Sequence, residues 1–210
     1  MRNAHTRSVV GFLLITFLLS LSPALGQQQP TPKQQVLRVV VYDGDLAALL
    51  ASLARTYDVT IGFETVSKEP RPRVSFQIQD ATRNQVFDAI VQADPQFQWR
   101  ERDGVIEFFP VTGASFLDTA IGSLKLSNAN WMQATDSLLN LTEARDGMRT
   151  FGLNQRPVKQ DAPQSKPITL DLTNVTVRDA LNKFAAQTET HFWVSRQFGG
   201  VLSIDNNPNW

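Results

Sequence analysis

The residues of this chain that are equipped for catalysis or metal binding are few and stand apart. Beyond its first 26 positions it has one histidine, His191, and it has no cysteine anywhere. A lone histidine can act as a general base or as one metal ligand. A zinc site needs three or four His, Cys or acidic groups, and no second His or Cys is there to complete one. No Gly-x-Ser-x-Gly segment supplies a nucleophile for His191 to activate. His191 opens the segment HFWVSR, where a polar residue at a strand edge is the plainer reading. Two carboxylate pairs stand two positions apart, Asp43 with Asp45 and Glu101 with Asp103. Asp45 precedes an apolar run with helical spacing and so caps a helix, while Asp103 precedes Gly104 and starts a tight turn. No stretch alternates acid and amide ligands toward a closing Glu, as a calcium loop requires. Paired acids for glycoside hydrolysis have no aromatic-rich cleft to serve. Gly199-Gly200 leads into a strand pattern, whereas a phosphate cradle leads into a helix. The sequence therefore predicts no catalytic, no cofactor-binding and no metal-binding residue.

What positions these residues is an internal repeat. Val74–Phe109, VSFQIQDATRNQVFDAIVQADPQFQWRERDGVIEFF, recurs as Ile168–Ile204, ITLDLTNVTVRDALNKFAAQTETHFWVSRQFGGVLSI. Val74, Phe76, Ile78, Thr82, Phe87, Ile90 and Trp99 align without a gap on Ile168, Leu170, Leu172, Thr176, Leu181, Phe184 and Trp193. A small insertion, assigned to the last turn, then brings Gly104-Val105-Ile106 onto Gly200-Val201-Leu202. Such self-similarity governs the fold before any single residue does. Trp99 and Trp193 share one strand position and are expected to pack, not to bind ligand; Trp131 is assigned to core in the same way. Trp210 lies in a short polar tail.

The earlier part of each copy repeats as well. Leu37–Tyr42 is β-branched and predicts a strand, followed by a helix with its apolar face at Leu46, Leu49, Leu50, Leu53 and Ala54. Val59–Phe63 predicts the next strand. Thr82 with Gln85 is a capping box, and Arg102-Asp103-Gly104 joins two strands as a hairpin. In the second copy Ser123–Leu126 is the first strand, Asn130 with Gln133 caps the helix, and Met148–Leu153 is placed as the counterpart of Val59–Phe63. Thr176 and Asp179 repeat the roles of Thr82 and Gln85. Each copy thus reads β-α-β-β-α-β-β. The fold class is α+β: two small domains in tandem, each a mixed sheet with two helices packed on it.

These residues resemble a known family. The run "V-x-F-x-I-x-D-A-T-x-x-Q-V-F-D-A-I-V" followed by "F-x-W-x-E-x-D-G-V-I-x-F-x-P" is similar to the short N-terminal (STN) domain shared by secretins and TonB-dependent receptors. Val74–Ile78, Ala81-Thr82, Val86–Val91, Trp99 and Asp103–Phe109 carry it. The likeness covers 37–110 well and 120–206 mainly through its later half. It implies a domain at the periplasmic mouth of an outer-membrane channel or receptor, in contact with a partner protein of a secretion or signalling system. No channel or receptor barrel follows in this sequence, so secretion and uptake are not expected as its own activities.

The ends and the charge agree with export. Arg2 and Arg7 precede an apolar run, Val9–Leu21, and Pro23-Ala24-Leu25-Gly26 offers small residues before Gln27. Residues 1–26 are read as a secretory signal peptide, with an uncleaved anchor as the competing reading. Residues 27–36 form a Gln/Pro-rich spacer, 111–119 a linker, 154–167 a mobile loop with three prolines, and 207–210 a tail. Basic and acidic side chains number 20 each, which gives no attraction to nucleic acid. The functional expectation is a non-enzymatic interaction module in the periplasm or at the outer-membrane periphery, needing no cofactor and binding a protein partner. The alternatives are an accessory assembly subunit of a separately encoded secretin or receptor, and an envelope enzyme.

Overall fold

The computed structural model of the chain describes residues 36–66, 72–156, 166–188 and 191–207. The segment read as a signal peptide, most of the expected spacer, Trp210 and the centre of the expected 154–167 loop lie outside the described residues.

The first half follows the predicted order. Strand β1 (Val36–Asp45) ends in Asp45, whose Oδ1 accepts from the Ala48 amide at 2.9 Å. That bond satisfies one of the four orphan donors at a helix start and opens α1 (Leu46–Tyr57). Leu46, Leu49, Leu50, Leu53 and Ala54 share its buried face. Strand β2 (Thr60–Thr65) is buried along its length. Strand β3 (Arg73–Thr82) runs antiparallel to β1, with Val74 inward and Ser75, Gln77 and Gln79 in water. Thr82 and Gln85 form the capping box of α2 (Arg83–Ala93). Strands β4 (Phe97–Arg102) and β5 (Val105–Pro110) meet through Asp103 and Gly104 alone, at φ 52° and 77°. Two positive φ values in a row make a type I′ hairpin turn, the one whose twist matches the strands.

The second half keeps the plan with three departures. A 3₁₀ turn (Phe116–Asp118) leads to β6 (Ala120–Ala129), α3 (Trp131–Leu139), α4 (Thr142–Thr150), β7 (Asn154–Gln155), β8 (Ile168–Thr176), α5 (Val177–Gln187), β9 (Phe192–Phe198) and β10 (Val201–Asp205). First, Met148–Leu153 is not a strand. Ala144 and Met148 are buried four residues apart while Arg145, Asp146 and Arg149 are exposed, which is the period of a helix face. The strand itself shortens to Asn154–Gln155, inside the stretch expected to be a loop. Second, the 111–119 segment is more than a linker, because Phe116 and Leu117 are fully buried. Third, the insertion does not enlarge the last turn. Phe198 pairs with Val201 across Gly199-Gly200, again two residues at positive φ, so the extra length lies in the hairpin arms.

The α+β class is as the sequence predicts, but the two copies share a sheet. Six strands run in the order β4-β5-β2-β9-β10-β7, flanked by two separate ribbons, β1/β3 and β6/β8. Within the first copy β5 is antiparallel to β4 and parallel to β2; within the second, β10 is antiparallel to β9 and parallel to β7. The copies meet where β2 lies parallel to β9, with Gly62 opposite Trp193. The second copy therefore repeats the strand order of the first with every strand reversed. That relation is a half-turn about the axis along which the strands stack, and it carries the helices of the second copy to the opposite face. The cores agree. Phe192 and Val194 of β9 belong to the core of the first copy, with Leu50, Phe63 and Phe87, whereas Trp193 between them belongs to the second, with Leu138, Leu181 and Phe184. Adjacent residues of a strand point to opposite faces, so one strand serves both cores. The body from Gln34 to Trp210 is one compact unit.

Candidate functional site

The polar side chains buried in this fold converge on the β2–β9 joint. Ile61 and Phe63 face the first core, so Gly62 and Glu64 face the other side, under α5. Glu64 is 1% exposed and Arg178, from the first turn of α5, 2%. Arg178 Nη2 donates to Glu64 Oε2 at 2.6 Å and Arg178 Nε to Asp118 Oδ1 at 3.0 Å. Burial works against the charge of Arg178, but the carboxylates of Glu64 and Asp118 more than offset it, so its pKa is raised. Ser115 Oγ and Gln197 Nε2 donate to Glu64 Oε1 and complete its shell. Glu64 thus has partners from the linker, from α5 and from β9.

A second network runs beside it. Glu107, fully buried in β5, accepts from Arg100 Nε at 2.7 Å and Arg102 Nη2 at 3.1 Å, both on β4. It also accepts from Asn182 Nδ2 of α5 at 2.9 Å. Asn182 Oδ1 in turn accepts from the indole Nε1 of Trp193 at 2.8 Å. Arg102 reaches Asp179, the capping-box residue of α5. Together the two networks tie α5 of the second copy to β2, β4 and β5 of the first. Breaking one partner of such a buried pair is costly even where the intact pair contributes little net stability.

A cleft opens beside the networks, lined by Glu64, Val66, Arg100, Phe109, Val111 and Arg178 among others. Arg100 sits 4.6 Å over the Phe109 ring, within cation–π range. The cleft holds about 120 Å³, against roughly 300–1,000 Å³ for small-molecule sites. Its guanidinium groups are already engaged, Arg178 by Glu64 and Asp118 and Arg100 by Glu107, so it is built as a polar seam.

The candidates raised by the sequence do not meet there. His191 sits at φ 47° just before β9, where its carbonyl accepts from the Ile61 amide at 2.9 Å, so it takes part in the joint through its backbone. Asp45 caps α1 and Asp103 makes the hairpin turn, while exposed Asp43 pairs with Arg73 at 3.5 Å and Glu101 with Arg83 at 2.7 Å. Trp131 is buried edge-on to Phe184. Trp193 is buried at the joint, and Trp99 is half-buried at the free strand β4, edge-on to Phe87. Among the described residues no three acidic or histidine side chains group as metal ligands.

Sequence reasoning missed Gly62, Glu64, Glu107, Arg178 and Asn182. Glu64 and Glu107 alternate with buried apolar residues, the usual mark of a wet face. Only a helix on the far side, supplied by the other copy, makes that face dry. In α5, Arg178 and Asn182 flank Val177, Leu181 and Phe184 as a polar border would, and only the packing of the other copy against them makes the buried stripe wider than one face. Compared with protein-family models, curated proteins and solved structures, the chain matches none of them.

Proposed function

We propose that this chain is a non-enzymatic interaction module that binds a partner protein in the cell envelope. One observation carries the reading: the buried polar groups are spent on joining two half-sheets, while the ends of the sheet are left open. Among the described residues β4 and β7 each pair on one side only, and so do the strands of both ribbons. An unpaired edge offers a row of backbone donors and acceptors that an extended segment of another protein can satisfy. The exported location rests on the leader-like first 26 residues, and the resemblance to STN domains supports a partner belonging to a transport or signalling assembly. Cross-linking in cells, followed by mass spectrometry of the linked peptides, tests this. The expected result is a heterologous envelope protein linked to residues on a sheet edge. Recovery of only the uncross-linked chain across several cross-linker lengths contradicts it.

A further inference from the structure

The repeat shows what one of these edges is shaped to receive. In the joint, the indole of Trp193 lies across the neighbouring strand. A Cβ on Gly62 would fall 2.4 Å from Trp193 Cζ2, 2.5 Å from Cε2 and 2.7 Å from Nε1. Atoms of both rings cover this position, so the indole overhangs the edge of β9 and only a residue without a side chain fits beneath it. The overhang is fixed by the bond from Trp193 Nε1 to Asn182 of α5.

The first copy carries the same device. Trp99 Nε1 donates to Asp88 Oδ1 at 2.9 Å, and Asp88 stands on α2 where Asn182 stands on α5. Thr82 and Thr176 start both helices, so the helix residue and its tryptophan have the same spacing in each copy. The difference is what lies next to them. Beside Trp193 is β2; beside Trp99 the described residues place no strand. Trp193 is accordingly fully buried and Trp99 half-buried.

We infer that the free edge of β4 is a docking site for a parallel β-strand of a partner protein that carries glycine opposite Trp99. This rests on the interaction-module reading and adds the site and the chemistry of the occupant. The joint supplies the register. Gly62 lies opposite Trp193 and the next residue, Phe63, opposite Val194, whose counterpart in β4 is Arg100. In the joint that second position is apolar because α1 covers it. Beside β4 it meets Gln98 and Arg100, both exposed. The occupant is therefore not a second β2. The residue after its glycine is polar, as its neighbours Gln98 and Arg100 are, and its backbone continues the sheet that β2 and β9 already share.

The test uses a synthetic peptide with the sequence Val-Thr-Ile-Gly-Glu-Glu-Thr-Val, which is Val59–Val66 with Glu for Phe63. The charge at that position keeps it from replacing β2, since Phe63 is fully buried. It is titrated into the isotopically labelled chain from Gln27 onward, with amide and indole resonances followed by NMR. The expected result is saturable shifts confined to Phe97–Arg102, α2 and the Trp99 indole. A peptide with valine for the glycine binds at least ~10-fold more weakly, the scale of one clash at a packed contact. No shift at β4, equal binding of the two peptides, or shifts centred on a ribbon edge overturns the proposal. The broader reading fails separately. A cellular partner cross-linked at another edge leaves the module standing and removes β4 as its site. Peptide binding at β4 with no cellular partner does the reverse.

Discussion

Strands β4 and β9 occupy the same place in the two copies and have different fates. Both begin a hairpin closed by a two-residue turn, and both hold a tryptophan bonded to the preceding helix. On the opposite face β9 carries Phe192 and Val194, both fully buried, where β4 carries Gln98 and Arg100. That contrast follows from their neighbours. Strand β9 is covered by α5 on one side and α1 on the other, so Phe192, Trp193 and Val194 are apolar on both, as strands buried on two faces are. Strand β4 has α2 on one side and, at Gln98 and Arg100, an exposed face on the other, and charged side chains on an exposed edge suppress indiscriminate pairing. One repeat unit thus supplies an internal joint in one copy and, among the described residues, an end of the sheet in the other. The head-to-tail arrangement makes this unavoidable, because a heterologous contact used once leaves one unused edge of each kind.

The comparison can be broken most forcefully at the joint's charges. Arg178→Met strands Glu64 in the interior and is expected to cost about 3–5 kcal/mol in urea unfolding. The double variant Glu64→Gln/Arg178→Met recovers most of that loss. A single-variant cost near zero means that α5 does not clamp β2 as described. Next is Gly62→Val, which drives a side chain into the Trp193 ring and is expected to cost about 1–3 kcal/mol. Equal stability of that variant removes the overhang from the account. The tryptophans then sharpen the contrast directly. Trp193→Phe leaves buried Asn182 without its donor, at about 1–3 kcal/mol, whereas Trp99→Phe frees an exposed Asp88 to water and costs less than ~1 kcal/mol. A reversed order contradicts the assignment of joint and end.

Two smaller effects are controls. Thr82→Ala and Thr176→Ala each remove a capping-box hydroxyl and are expected to cost about 1 kcal/mol alike, since the caps are local to each copy. The least effect is expected at Asp205, whose carboxyl is raised by burial despite opposing bonds from the Asn207 and Asn206 amides and the charge of Arg196. A carboxyl raised on folding gives a contribution that is full below its unfolded pKa and lost as pH rises through the folded one. Asp205→Asn should therefore flatten the decline of stability across that window, checked by melting temperature against pH. An unchanged profile removes Asp205 from the pH dependence.

Local rules carried most elements: the caps at Asp45, Thr82, Asn130 and Thr176, the hairpin at Asp103-Gly104, and the apolar faces of α1 and α2 were all legible. Met148–Leu153 was not, because analogy with Val59–Phe63 overrode the four-residue spacing of Ala144 and Met148. The joint was not legible either. Its parts are separated by more than a hundred positions, and a glutamate such as Glu64 has no local mark that a helix from the other copy will cover it. A repeat discloses the unit, while the way two units meet depends on long-range contacts that neither unit encodes alone.

Native-state hydrogen exchange of the chain from Gln27 onward tests the shared sheet most directly. The account predicts that amides of Thr60–Thr65 and Phe192–Phe198 exchange only with global unfolding, as slowly as the cores on either side, while amides on the free side of β4 exchange faster. If the β2 and β9 amides instead open by a route that leaves both cores protected, the copies are two adjoining domains and the joint is not what holds the molecule together.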